Sequence, residues 1–203
     1  KIPQPFSDKR KKLVFDTINL YRANVSLGNQ SHLICNGSVN IADSRFSPVS
    51  WAKSKSSSIT VETGNVVIER SKFEKMDVGL KLNEGVNNCL ISRTDFFDCM
   101  TGLLKSGGHL IVSNGMFKSN DVGAEIQGSM SSDSFENCYF FSHLNMGLYV
   151  ETNDTINIPL SFNNCGFYKN QVAAQSLNRS MAFACSIFGY NTTGIVLNNA
   201  NLI

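Results

Sequence analysis

Apolar residues return along this chain in a fixed frame built around a phenylalanine. An apolar residue stands five positions before the Phe, a small residue two positions before it, and in most copies a glycine six or seven positions after it. Successive phenylalanines are separated by 21 to 27 residues. The seven phenylalanines are Phe46, Phe73, Phe96, Phe117, Phe140, Phe167 and Phe188. A repeat of this kind is typical of a protein built from stacked structural units.

The spacing within each unit predicts strands. Apolar residues alternate at a spacing of two, as in Val66/Ile68 and Leu80/Leu82, and this is strand periodicity. The Leu pattern of leucine-rich repeats is missing, and a propeller blade needs about twice this period. We therefore expect an all-β fold, a right-handed parallel β-helix of about seven to eight coils with three short strands per coil.

The repeat also predicts what the recurring residues do. Equal positions of stacked coils lie above one another, so the seven phenylalanines should form a continuous aromatic ladder in the core. Asn114, Asn137 and Asn164 each precede a Phe by three residues and should form a ladder of turns. Residues 13–203 are expected to form one β-helix domain, with residues 1–12 as a leader or N-terminal cap.

The frame, together with the segment NCGFYKN at 164–170, resembles the right-handed parallel β-helix superfamily, the pectate-lyase-like fold. The resemblance implies a fold and favours a cell or virion surface. It implies no activity, because this fold carries lyases, hydrolases, epimerases and inert shafts alike.

Composition excludes several functional classes. The chain of 203 residues is 42% hydrophobic but only 17% charged, and its net charge of +2 gives no field for steering nucleic acid. No apolar run is long enough for a membrane span, and the N-terminus lacks the apolar segment of a signal peptide. We expect neither nucleic-acid binding nor membrane insertion.

The residues that usually carry chemistry give no clear catalytic, metal or cofactor site. The six cysteines form no metal-binding pair, and the three histidines fall at different positions of the frame. Cys138 and Cys165 share the small inward position of adjacent coils, either as buried free thiols or as a disulfide between coils. The best carboxylate neighbourhood is diluted by lysines; it consists of Glu69, Glu74, Asp77, Asp95 and Asp98.

The outward positions beside the Phe ladder predict a contact surface. Strand alternation points these side chains away from the core, and on consecutive coils many are large and apolar. The candidate binding residues are Phe97, Met116, Tyr139, Phe141 and Tyr168, with Ile187 beyond them. Three coverings stay open: a segment of the same chain such as residues 1–12, self-association, for instance as a trimer, or a surface glycan or protein partner.

Two classes of function remain at this point. The first is a non-catalytic rod for attachment, binding or assembly, such as an adhesin, a fibre segment or a scaffold. The second is a carbohydrate-active enzyme, a polysaccharide lyase or hydrolase. The exposed aromatic residues and the lack of a carboxylate cluster favour the rod.

Overall fold

The protein is a parallel β-solenoid of about eight coils, seen in a computed structural model that describes residues 11–28, 30–49, 57–128, 131–153 and 158–203. All paired strands run parallel, and the described residues contain no helix. The predicted all-β solenoid is confirmed. Strand β1 begins at Lys11, within the segment 1–12 that was expected to be a leader or N-terminal cap; residues 1–10 of that segment lie outside the described residues.

The first twelve strands fill the N-terminal half. They are β1 (Lys11–Phe15), β2 (Ile18–Tyr21), β3 (Asn24–Leu27), β4 (Ser31–Cys35), β5 (Val39–Ala42), β6 (Arg45–Pro48), β7 (Ser58–Glu69), β8 (Lys72–Glu74), β9 (Val78–Ser92), β10 (Asp95–Phe97), β11 (Thr101–Lys105) and β12 (His109–Ser113). The remaining strands are β13 (Met116–Lys118), β14 (Val122–Ile126), β15 (Ser134–Glu136), β16 (Tyr139–Phe141), β17 (Met146–Glu151), β18 (Leu160–Asn163), β19 (Gly166–Tyr168), β20 (Val172–Leu177), β21 (Met181–Ala184), β22 (Ile187–Gly189) and β23 (Thr193–Asn198).

Two sheets run along the rod. The smaller sheet has eight strands in the order β22-β19-β16-β13-β10-β8-β6-β3. The larger sheet has fifteen strands. Its two longest strands, β7 and β9, each continue from one side of the coil onto the next, and in this way they join two rows of strands into one sheet. In those two coils the expected three short strands are therefore two, one long and one short.

The phenylalanine ladder fills the core beneath the smaller sheet, in the predicted register. Each Phe of the frame pairs with the Phe one coil away, and the stacked ring centroids lie 4.6 to 5.2 Å apart. Six of the seven are fully buried, and Phe188 in the last full coil is partly buried. A second ladder of Phe135, Phe162 and Phe183 meets the first ladder edge to face.

The predicted asparagine turn ladder is also present. Asn114, Asn137 and Asn164 have φ angles of 54°, 53° and 52°, in the left-handed region that Asn tolerates. The Asn164 side-chain amide donates to Asn137 Oδ1 at 2.7 Å. These turns follow strands β12, β15 and β18 of the larger sheet and lead the chain into β13, β16 and β19 of the smaller sheet, where the candidate surface lies.

Candidate binding surface

The outer face of the smaller sheet follows from its very short strands. From β8 onward each strand has three residues with the ladder Phe at its centre, so the first and third residues point outward. The ladder of first residues runs Lys72, Asp95, Met116, Tyr139, Gly166 and Ile187. The ladder of third residues runs Glu74, Phe97, Lys118, Phe141, Tyr168 and Gly189.

The five predicted binding residues lie together on four consecutive coils. Met116 pairs with Tyr139 in one outward ladder, and Phe141 pairs with Tyr168 in the other. Met116 and Tyr139 are 43% and 49% exposed, and the remaining three are half-buried. Together with Lys118, which the strand register places between Phe97 and Phe141, they form a surface that we call the aromatic patch.

The two tyrosines are positioned by glycines. A Cβ atom at Gly166 would lie 2.6 Å from Tyr168 Cε2 and 2.9 Å from Tyr139 Cδ1, so both rings lean over this residue. The Tyr168 ring also covers Gly189, one coil further along. Aromatic side chains commonly cover a strand glycine in this way. The absence of side chains at 166 and 189 therefore leaves room for the tyrosine rings to lie against the sheet.

Lysines flank the phenylalanines of the patch. The Lys118 and Lys169 ammonium groups lie 5.7 and 5.5 Å from the centroid of the Phe141 ring, and Lys72 lies 5.2 Å from that of Phe97. Cation–π contacts at these distances are attractive. The hydrophobic pattern did not point to these lysines as part of the surface. For Lys118 the sequence does carry a signal, because the strand alternation places it in an outward position between two aromatic residues.

At the N-terminal side of the patch the charges neutralise one another. Burial opposes ionisation of Glu74, but hydrogen bonds from Lys72, at 2.9 Å, and from Arg45 hold the pKa of this carboxyl below its usual value. Burial raises the pKa of Asp95, and the nearby Lys72 charge opposes that rise. Lys72, Asp95, Phe97, Met116 and Lys118 line a shallow hollow of about 270 Å³ at this end.

The expected carboxylate neighbourhood does not form a free acidic cluster. Glu74 is bound as described, and Arg70 forms ion pairs with Glu69 and with Asp43, the latter at 2.7 Å. The hydrogen bond from Arg70 is the main cause that lowers the pKa of Asp43. Paired carboxylates of this kind are structural.

A different carboxylate pair, which the sequence did not single out, lies on the larger sheet. Burial raises the pKa of Glu125, a hydrogen bond from Gln127 opposes the rise, and the Glu151 charge adds to it. The Tyr149 hydroxyl donates to Glu151 Oε2 at 2.9 Å. The strand register places Tyr149 beside Glu125 on the adjacent coil. The proximity of Glu125 and Glu151 therefore depends on how the two coils align, which the sequence pattern alone did not indicate.

Buried charges inside the solenoid were also missed. Lys105 follows the apolar alternation of β11 and lies between Leu82 and Ile126, the aliphatic residues at the equivalent position of the neighbouring coils. Its ammonium group lies 3.0 Å from Asp133 Oδ2, which also accepts from Arg179 Nη1 at 2.9 Å. Burial lowers the pKa of Lys105, and Asp133 opposes that change. All three side chains are almost fully buried, so this cluster is part of the core.

The remaining candidate chemistry is dispersed. His32 contacts Ser58, His109 contacts Ser132 and His143 is buried in the core. Within the described ranges no three His, Cys, Asp or Glu side chains are grouped as metal ligands, and no described segment is a helix that could cross a lipid bilayer.

Comparisons with protein-family models, with curated proteins and with solved structures give no match. The functional argument therefore depends on the aromatic patch and on its neighbours.

Proposed function

We propose that this protein is a non-catalytic rod for attachment or assembly that contacts a partner through the aromatic patch. We also propose that the solenoid is a right-handed β-helix of the pectate-lyase-like kind, on the strength of the repeat and its resemblance to that superfamily. A location on a cell or virion surface is part of the same proposal.

The observation that carries the proposal is the outward position of five large side chains on four consecutive coils. They have no place in the core, because the phenylalanine ladder already fills the space beneath the sheet. Contiguous apolar patches on soluble proteins mark contact sites. Moving a large apolar side chain from water to a fully buried site contributes about 1.5–3 kcal/mol of free energy. A partner that covers the exposed part of the patch would therefore bind favourably.

The test is a triple variant, Tyr139→Ser with Phe141→Ser and Tyr168→Ser. A matched control is Val67→Ser with Leu90→Ser, because these apolar side chains are similarly exposed on the larger sheet. Sedimentation velocity measures self-association, a glycan array measures sugar binding, and thermal unfolding followed by circular dichroism reports the fold.

We expect the triple variant to stay folded and to lose self-association or array binding, while the control keeps both. The proposal would be overturned if the triple variant kept both self-association and array binding, or if the control lost them to the same extent. A much lower melting temperature with an unchanged oligomeric state would show that the chain itself covers the patch, and would leave only a scaffold.

A further inference from the structure

Two cations have no anion beside them: Lys118 of the aromatic patch and the adjacent Lys169. Lys118 and Lys169 are exposed and contact the Phe141 ring, and neither forms an ion pair with a carboxylate among the residues that the structure describes. Lys72, by contrast, is bound to Glu74. The C-terminal half of the patch is therefore positively charged as well as aromatic.

The arrangement of these groups along the rod is linear. The outward ladder runs Phe97, Lys118, Phe141 and Tyr168, one residue per coil, and strands of neighbouring coils are about 4.8 Å apart. Lys169 follows Tyr168, one coil beyond Phe141, and its ammonium group is a second cation close to the Phe141 ring. A ligand that binds along this ladder needs flat apolar faces opposite the aromatic rings and negative charges opposite the lysines.

We propose that the aromatic patch binds a linear polysaccharide whose sugars carry acidic groups, either carboxylates or sulfates. The apolar faces of the sugar rings would pack on Tyr139, Phe141 and Tyr168. The acidic groups would accept charge-assisted hydrogen bonds from the Lys118 and Lys169 ammonium groups. This inference rests on the proposed function and gives the chemistry of its ligand.

A single-stranded nucleic acid could also stack on aromatic residues, but proteins that bind one line the path of its backbone with a positive groove. Here two unpaired lysines lie close to one ring, and the hollow at the other end contains Asp95. The polysaccharide is therefore the better match, and single-stranded DNA serves as a competing ligand in the test.

The experiment measures binding of the full chain to immobilised alginate, which carries carboxylates, to dextran sulfate and to neutral dextran. The variant is Lys118→Gln with Lys169→Gln. The control is Lys12→Gln with Lys81→Gln, which removes the same charge from the larger sheet. Each pair is measured at several salt concentrations and in competition with an oligothymidine strand.

We expect the protein to bind at least one acidic polymer, more tightly than dextran and with an affinity that falls as salt rises. The Lys118/Lys169 variant should bind that polymer at least tenfold more weakly and with a shallower salt dependence, and the control should bind as the unaltered protein does. Preference between alginate and dextran sulfate identifies the acidic group.

The inference would be overturned if the protein bound neither acidic polymer, or bound neutral dextran as tightly as the acidic ones. It would also be overturned if oligothymidine bound more tightly than the acidic polymers, or if the control variant lost as much affinity as the Lys118/Lys169 variant. The proposed function survives such a result if the Tyr139/Phe141/Tyr168 variant still loses self-association or binding on the array. If that triple variant behaves as the unaltered protein, both proposals fail together.

Discussion

The Phe140 and Phe167 rings lie parallel, 2° apart in orientation, with their centroids 4.6 Å from each other on adjacent coils. Both rings are fully buried. Because each strand of the smaller sheet from β8 onward is centred on such a ring, the ladder fixes which residues of those strands face outward. The position of the aromatic patch is thus a consequence of the core.

Removing a ring from the middle of this ladder should destabilise the rod. Phe117 stacks on Phe96 and Phe140 and touches Phe135 edge to face, so Phe117→Ala should lower the free energy of unfolding by about 3–5 kcal/mol. Chemical denaturation measures the change. The neighbouring exposed Met116, changed to Ala, is the control and should cost less than about 1 kcal/mol. An unchanged midpoint for Phe117→Ala would show that the strand register is wrong.

The repeat allowed the fold and the Phe ladder to be predicted, because the ladder requires the same residue type in every coil. The same alternation indicated which residues of the smaller sheet point outward. The cluster of Lys105, Asp133 and Arg179 could not be predicted in this way. Its partners come from segments 28 and 46 residues apart, and each occurs once, so no repetition marks them. The contacts of Lys118 and Lys169 with Phe141 likewise depend on side-chain conformation, which a residue pattern does not determine.

Acid should weaken the fold through His143. This residue occupies the buried position that Asn120 and Asn170 hold in the neighbouring coils. The Asn120 N–H donates to His143 Nδ1 at 3.2 Å, and His143 Nε2 has no partner among the described residues. Burial lowers the pKa of His143 to about 4 from 6.5. The unfolded chain therefore binds more protons between these values, so stability falls as pH falls through this window.

The loss from His143 should reach about 2 kcal/mol between pH 7.5 and pH 5, measured by denaturant unfolding at each pH. The variant His143→Asn should lack this loss. Its amide should accept from the Asn120 N–H and donate to the Phe117 carbonyl, as Asn170 does one coil further along with His143 and Phe140. A variant that loses as much stability as the unaltered protein over this range would contradict the assignment.

The interior charges should respond unequally to substitution. Asp133→Ala leaves Lys105 and Arg179 buried without their shared anion, and should cost about 3–5 kcal/mol. Lys105→Met leaves Asp133 paired with Arg179 and fills an otherwise apolar position, so its cost should be within about 1 kcal/mol. Thermal and denaturant unfolding of both variants measure the difference. Equal costs would contradict this description of the cluster.

The cysteines should react as free thiols of different accessibility. None of the six forms a disulfide; Cys185 is exposed and the other five are buried. Cys138 and Cys165 occupy the same inward position in neighbouring coils, where a mutual hydrogen bond and burial raise the pKa of the Cys138 thiol. A thiol reagent should therefore label Cys185 alone in the folded protein and all six after unfolding without reductant. If Cys138 and Cys165 alone stay unlabelled after unfolding, they form a disulfide with each other.

Hydroxyl-radical footprinting with mass spectrometry tests the aromatic patch most directly, because Phe, Tyr and Met side chains are all oxidised by the radical. The protein is oxidised alone at low concentration and again in the presence of alginate, and each residue is compared between the two samples. We predict protection of Met116, Tyr139, Phe141 and Tyr168, with Leu90 on the larger sheet oxidised equally in both samples. Protection at Leu90, or unchanged oxidation of the patch under conditions in which alginate is bound, would contradict the account.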